Sequence, residues 1–213
     1  TGDDFSSGMP ANAVFTIEAT EAGGLQSTRI SLKNVTGRGR LGDRGISIGG
    51  LGFDAVYDPS TKQVKLESLK ISSDVLTGEF TGTLDATALV AGDTTKPTLF
   101  RISGRDFSLG LMPMFEVAWP FVSADIEGNF ASDMRHLTVT RLNAVTGGAT
   151  VNGTGEFWLD GPPEAQQMGA KVNAVAEGVI TPQQVTAFWP VNLGPGARTW
   201  VKNRVPSGTA SRA

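Results

Sequence analysis

The chain has 213 residues, with 18 basic and 21 acidic side chains and a net charge of −3 at pH 7. The charges form no long blocks, so the sequence predicts no nucleic-acid partner. Cysteine is absent, which excludes disulfides and thiolate metal sites. No apolar run approaches the roughly 18 residues that a membrane-spanning helix needs, and residues 1–10 lack the pattern of a secretion signal.

The first half of the chain reads as a series of β-strands. Apolar and polar residues alternate over Phe15–Ala19, Ile46–Tyr57 and Val64–Ile71, as expected for strands with one buried face. Between the first two lies Gly37–Gly45, which combines glycines with arginines. Because it neither follows a clean strand nor opens a helix, we interpret it as a mobile basic loop and not as a phosphate-binding loop. The longest alternation, Leu76–Val90, predicts a curved strand of about 50 Å.

The second half continues this pattern. The predicted strands are Leu99–Phe107, Val122–Phe130, Leu137–Ala144, Ala149–Leu159 and Met168–Val179. Between the first two of these, the apolar segment Leu111–Pro120 brings together methionines, aromatics and prolines. We interpret it either as a plug in the core or as an apolar lip at the mouth of a groove, where adaptable methionines suit varied hydrocarbon partners.

Two stretches of the chain echo each other at a constant spacing. The first set is Val64, Leu66, Leu69, Gly82 and Leu84, and the second is Leu137, Val139, Leu142, Gly155 and Phe157. The echo predicts two repeat modules, at about residues 1–110 and 111–180, within a single domain that covers 1–213. A helical segment is expected at 181–205.

Only that last segment reads as helical. Thr181, Pro182 and Gln184 supply an N-cap, a proline at the first helical position and a capping box, which predict a short helix that ends before Pro190. A second short helix is predicted to begin at Pro195.

The sequence contains no convincing catalytic or metal-binding constellation. His136 is the only histidine, and we interpret it as a surface residue. The aspartates lack the spacing of a calcium loop. Asp125 and Glu127 share a strand face and could form an acid/base pair. The alternation around them is explained more simply if both lie on the solvent-exposed face of a sheet. We therefore expect no cofactor, no metal and no enzymatic activity.

The segment Phe188–Ser207 reads FWPVNLGPGARTWVKNRVPS and joins a Trp-Pro pair, a Gly-Pro-Gly turn and an Arg-x-Trp-Val sequence. This combination resembles the signature of the AsmA-like superfamily, specifically the YhdP-type proteins of Gram-negative bacteria. The matching positions are Trp189, Pro190, Pro195, Arg198 and Trp200. The resemblance covers roughly Met114–Gly208, and the strand that the family pattern places after Gly208 is not recognisable in the sequence. We interpret the matching residues as structural, with the tryptophans capping the end of a sheet and Arg198 binding carbonyls or a carboxylate.

The resemblance implies an all-β fold in which long, curved antiparallel sheet forms a taco-like open groove, with one or two short C-terminal helices. It also implies a non-enzymatic fragment of a periplasmic protein that is anchored in the inner membrane through regions outside this fragment. Such a protein shuttles phospholipids between the inner and outer membranes and supports outer-membrane biogenesis. On this hypothesis acyl chains lie against Phe80, Leu84, Ile126, Leu137, Val139 and Phe157.

Two other classes of protein remain open on the sequence. Alternating strands also build a closed β-sandwich that serves as a binding or adhesion module, with two sheets burying their apolar faces against each other. A carbohydrate-active β-solenoid enzyme is the other, and it requires clustered carboxylates in a cleft.

Overall fold

The computed structural model describes residues 12–19, 25–41, 44–110, 115–162, 167–205 and 207–212. Within these ranges the strands are β1 Asn12–Ala19, β2 Leu25–Leu41, β3 Arg44–Asp58, β4 Gln63–Ser73, β5 Leu76–Asp85, β6 Thr98–Leu109, β7 Trp119–Phe130, β8 His136–Thr146, β9 Ala149–Asp160, β10 Gln167–Ile180 and β11 Ala210–Arg212. The helices are α1 Thr87–Ala91, α2 Pro182–Ala187 and α3 Pro195–Arg204. All 11 strands form one open antiparallel sheet whose spatial order follows the chain. The predicted all-β fold with short C-terminal helices is confirmed.

One face of this sheet is apolar over most of its width. Residues that pair across antiparallel strands share a face, so the pairing register traces rows of side chains across the sheet. The central row contains Ile30, Ala55, Leu66, Gly82, Ile102, Ile126, Leu142, Gly153 and Ala174. The rows on either side consist only of apolar residues and glycine from β4 to β9. We call these three rows the apolar face.

The opposite face carries the charges. Arg29 Nη1 lies 2.8 Å from Glu67 Oε2, and Lys70 Nζ lies 2.8 Å from Glu79 Oε1. Ser103 donates a hydrogen bond to Asp125 at 2.6 Å. Solvent screens exposed ion pairs of this kind, so they contribute little to stability. Their presence shows that this face is solvated.

The hairpins β4–β5 and β8–β9 share the same pairing and the same irregularity. Leu66 pairs with Gly82, and the register then shifts before Leu69. Val139 pairs with Gly155, and the register shifts in the same way before Leu142. The strands that precede these hairpins also shift at matching places, between Asp54 and Ala55 and between Glu127 and Gly128. Bulges bend a strand and increase its twist, so the two halves of the sheet bend at corresponding points.

The core lies on the apolar face itself. Its buried residues are Phe80, Phe107, Ala124 and Ala144, with half-buried residues such as Ile102, Ile126 and Leu142 packed around them. The accessible surface of the chain is 13412 Å², against about 9,400 Å² for a compact protein of this mass. Among the described elements no second sheet covers these apolar side chains.

Two predictions about local structure are wrong. The predicted strand Leu76–Val90 ends at Asp85, because Asp85 Oδ1 accepts a hydrogen bond from the Thr87 amide at 2.9 Å and α1 begins there. Gly37–Gly45 is not a loop over most of its length, since β2 continues to Leu41 and β3 begins at Arg44. Residues 42 and 43 and the first four residues of the Leu111–Pro120 segment, 111–114, lie outside the described residues.

Candidate lipid-contacting face

The six residues predicted to contact acyl chains all belong to the apolar side of the sheet. Leu137 and Phe157 are direct cross-strand partners, and Val139 lies one row further along β8. Ile126 pairs with Leu142, while Leu84 pairs with Phe100. These five predicted residues are half-buried. The sixth, Phe80, is only 7% exposed and belongs to the core cluster, so its ring offers little surface to a ligand.

Sequence reasoning missed the aromatic residues that fill the centre of this face. Phe107 packs between Phe80 and Phe121, with ring centroids 5.3 and 4.8 Å away. The alternation in β6 would point Phe107 to the polar side. Asp106 has a φ of 46°, and the register against β5 shifts next to it, which turns Phe107 inward. Phe100 keeps the alternation and could have been found from the period of two alone.

Glycines make room for these rings on neighbouring strands. A Cβ added to Gly104 would lie 2.6 Å from the ring of Phe80, and one added to Gly128 would lie 2.8 Å from the ring of Phe100. Because each ring occupies space that a glycine leaves free, the rings lie low against the sheet. The resulting surface is made of hydrocarbon and offers few hydrogen-bonding groups to a ligand.

A helical rim closes one end of the strands near β7. We use the name helical rim for α2, α3 and residues 115–119. Trp119 stacks edge-on against Phe115 and Phe188, with centroids 4.2 and 4.8 Å away, and its indole nitrogen donates to the Ala187 carbonyl at 3.0 Å. Gln184 of α2 donates to the Gly147 carbonyl at 2.9 Å. These contacts fix α2 to the sheet at two separate places.

The predicted N-cap of α2 is confirmed. Thr181 and Gln184 form the reciprocal capping box, with the Thr181 amide donating to Gln184 Oε1 at 2.8 Å and the Gln184 amide donating to Thr181 Oγ1 at 3.3 Å. Pro182 occupies the first helical position.

The five signature residues all lie in or next to the helical rim. Arg198, with a side chain 12% exposed, forms an ion pair with Glu116 and donates to the Thr186 carbonyl at 3.2 Å. Trp189 donates to the Leu193 carbonyl at 2.5 Å, in the turn between α2 and α3 that contains Pro190. Pro195 begins α3, and Trp200 on that helix is 61% exposed.

Trp200 therefore does not cap the sheet, and Trp119 does so instead. A short strand, β11, follows Gly208. It was not predicted because a strand of three residues is too short to show an alternating pattern.

The ion pair at Glu116 predicts a pH dependence. Hydrogen bonds from Arg198 and then Lys202 hold the pKa of the Glu116 carboxyl below its ordinary value of 4.5. Because the folded-state pKa is depressed, the stabilisation is present above pH 4.5 and is lost as the pH falls through the depressed value. We expect the native chain to lose more stability than Glu116→Gln on acidification from about pH 5.5 to about pH 3.5. Urea unfolding at each pH measures this, and equal losses would contradict it.

The groups considered for catalysis are dispersed. His136 is exposed, with Nδ1 3.5 Å from Asp133 Oδ2. Asp125 is hydrogen-bonded to Ser103, and Glu127 lies 3.3 Å from Arg141 Nη1, both on the polar face. Among the described residues there is no group of three potential metal ligands. None of the helices described is long and apolar enough to cross a membrane.

The fold and its apolar face define a single-layer, open antiparallel sheet with one solvated and one hydrocarbon-like side. No protein-family model matches the sequence, and neither the curated proteins nor the solved structures contain a significant match.

Proposed function

We propose that this chain is a non-enzymatic, lipid-carrying segment of a periplasmic protein that moves phospholipids between the inner and outer membranes. The apolar face would hold the acyl chains while the headgroups remain in solvent. The observation that carries the proposal is the unbroken apolar face of an open sheet. Its central row runs from β2 to β10, which at about 4.8 Å per strand is about 40 Å.

Physical chemistry supports an acyl chain as the ligand of such a face. Burial of apolar surface contributes about 25 cal/mol per Å² and requires no directional contacts. The central row of the apolar face contains no charged or hydrogen-bonding side chain from β2 to β10. A ligand with polar groups along its length would leave them unpaired there. A hydrocarbon chain has no polar groups to leave unpaired.

The open sheet also weighs against the two competing classes. A closed sandwich buries its apolar faces between two sheets, whereas every strand in the described part of this chain belongs to one sheet. A glycosidase needs two carboxylates facing a cleft, whereas Asp125 and Glu127 lie on the solvated face with partners of their own.

A photocrosslinker tests the proposal on adjacent residues of one strand. Phe157 lies on the apolar side of β9 and Glu156 on the polar side. Each is replaced in turn by p-benzoylphenylalanine, the chain is incubated with phosphatidylethanolamine–phosphatidylglycerol vesicles, and the irradiated protein is weighed by mass spectrometry. We expect a phospholipid adduct at position 157 at a yield roughly tenfold above that at position 156.

Val139 supplies a second site on the apolar face, on the neighbouring strand β8. Equal labelling at positions 156 and 157, or no adduct at either 157 or 139, would contradict the proposal. Circular dichroism of each variant establishes that the sheet is intact.

A further inference from the structure

The connections between consecutive strands fall on two opposite edges of the sheet. We use the name rim edge for the edge where β2, β4, β6, β8 and β10 end, because it carries the helical rim. The turn edge is the other one, where β1, β3, β5, β7 and β9 end. β7 has 12 residues, so at about 3.3 Å per residue the two edges are roughly 36 Å apart. A lipid headgroup at one edge is therefore far from the other.

The two edges carry opposite charge. The comparison covers the described residues that connect consecutive strands, together with the two strand residues next to each connection. On the turn edge the acidic residues are Glu18, Asp58, Asp85, Asp93, Asp133 and Asp160, and the basic residues are Lys62, Lys96 and Arg135. On the rim edge the basic residues are Arg40, Arg44, Arg198, Lys202 and Arg204, and the acidic residues are Asp74 and Glu116. The described turn edge is net acidic, and the described rim edge is net basic.

The carboxylates of the turn edge are stabilised in their charged form. Ser60 donates to Asp58 Oδ1 at 2.6 Å, and Thr95 donates to Asp93 Oδ1 at 2.6 Å. These hydrogen bonds hold the pKa of both carboxyls below the ordinary value of 3.8. The turn edge therefore stays negatively charged at neutral pH and repels a phosphate group.

On the rim edge, α3 exposes a tryptophan beside an arginine. Trp200 and Arg204 are four positions apart, so their side chains are neighbours on one side of the helix. Trp200 is 61% exposed. Arg204 is also exposed and forms no ion pair with any described residue, whereas Arg198 and Lys202 both bind Glu116. Arg204 is thus available to an anion from solution.

The helical rim that carries α3 lies on the apolar side of the sheet. Trp119 is two residues before Phe121 in β7 and shares its side of the strand. Trp119 contacts Phe188, at the end of α2. α3 is held beside α2 by the hydrogen bond from Arg198 to the Thr186 carbonyl. The basic residues of α3 therefore lie at an end of the apolar face.

We propose that the rim edge binds the phosphate group of a phospholipid whose acyl chains lie on the apolar face, which presupposes the proposed lipid-carrying function. Arg204 binds the phosphate, because a guanidinium donates two parallel hydrogen bonds to phosphate oxygens. Trp200 lies at the boundary between headgroup and acyl chains, where tryptophan is enriched in membrane proteins. Because the turn edge repels phosphate, bound lipids all turn their headgroups toward the rim edge.

A nitroxide label reports where the phosphate lies, and the native chain has no cysteine to compete for the label. One label is placed through Asn203→Cys on α3, and the other through Ser132→Cys in the turn that follows β7 on the turn edge. Both residues are exposed. The probe is dihexanoyl phosphatidylglycerol below its micellar concentration, so that neither micelles nor bilayers are present. The relaxation of its phosphorus and acyl-chain protons is measured by NMR, with the label oxidised and then reduced.

We expect the label at position 203 to relax the phosphorus at least roughly tenfold more than the label at position 132, because the effect falls steeply with distance and the edges lie far apart. Without a label, Arg204→Gln should weaken binding roughly twofold to fivefold, as expected for the loss of one exposed charge contact. Lys62→Gln is the matched control, since it makes the same change of charge at an exposed position on the turn edge, and it should leave the affinity unchanged.

Equal phosphorus relaxation from the two labels, or equal effects of the two substitutions, overturns the proposal. If the acyl-chain protons still relax in that case, the apolar face binds lipid and only the position of the headgroup is wrong. If neither phosphorus nor protons respond to either label, the lipid-carrying function fails as well. Inorganic phosphate is measured in parallel. A response to the label at position 203 as strong as that of the lipid would make the rim edge a site for free phosphate, which also overturns the proposal.

Discussion

Replacing Gly128 by valine should destabilise the fold by about 3 kcal/mol or more. A Cβ at this position would overlap the Thr138 carbonyl oxygen and lie 2.8 Å from the Phe100 ring. Gly128 sits beside a register shift in β7, where the strands approach closely. Neither the backbone of β8 nor the packed ring can retreat without breaking pairs in the sheet.

The control for this substitution is Gly50→Val in β3. The nearest atom to a Cβ there is 4.0 Å away, and valine has a higher strand propensity than glycine. We therefore expect Gly50→Val to change the free energy of unfolding by no more than about 0.5 kcal/mol. Urea denaturation of both variants measures the difference. Similar values for the two would show that the close approach at Gly128 does not constrain the sheet.

Much of this fold was readable from the sequence because its physical cause is local. Alternation with a period of two sets which residues share a face, and it correctly placed Leu84, Ile126 and Phe157 on the apolar side. The capping box at Thr181 is a contact between residues three positions apart, so the sequence alone locates the start of α2.

The features that escaped prediction arise where the alternation breaks or where contacts are distant. At Asp106 a positive φ reverses the side to which the chain points, and nothing in the residue types around it marks the change. The ion pair between Glu116 and Arg198 joins residues 82 positions apart. The strand predicted over Leu76–Val90 ends at Asp85, because the Asp85 side chain accepts a hydrogen bond from the Thr87 amide. That local hydrogen bond replaces the pairing that would continue the strand.

The constant spacing between the two halves has a consequence for how the face is built. The glycine that opposes the bulge occurs at equivalent places, Gly82 and Gly155, and so does the bulge itself. Each half thus bends at the same point along its strands. A face made of similarly bent halves stays continuous from one half to the next, and the proposed movement of acyl chains requires that continuity.

Replacing Phe107 by alanine should cost about 3–5 kcal/mol of stability. The ring is 9% exposed and packs against Phe80 and Phe121. The surrounding sheet is held by its hydrogen bonds and cannot collapse into the vacated space, so the cost of the cavity adds to the lost burial. The matched control is Leu99→Ala on the opposite side of β6, where the side chain is 53% exposed. We expect that change to cost about 0.5 kcal/mol.

The same pair of variants distinguishes a sealed core from an accessible apolar face. An apolar cavity in a protein stays dry and binds apolar molecules that can reach it, and a ligand that binds only the folded state raises the unfolding midpoint by mass action. If acyl chains reach the face, a short-chain alkyl probe such as dodecyl phosphocholine, held below its micellar concentration, should raise the midpoint of Phe107→Ala more than that of Leu99→Ala. No rise in the midpoint of either variant would mean that both the face and the space left by Phe107 are closed to hydrocarbon, and the face would then be a core and not a conduit.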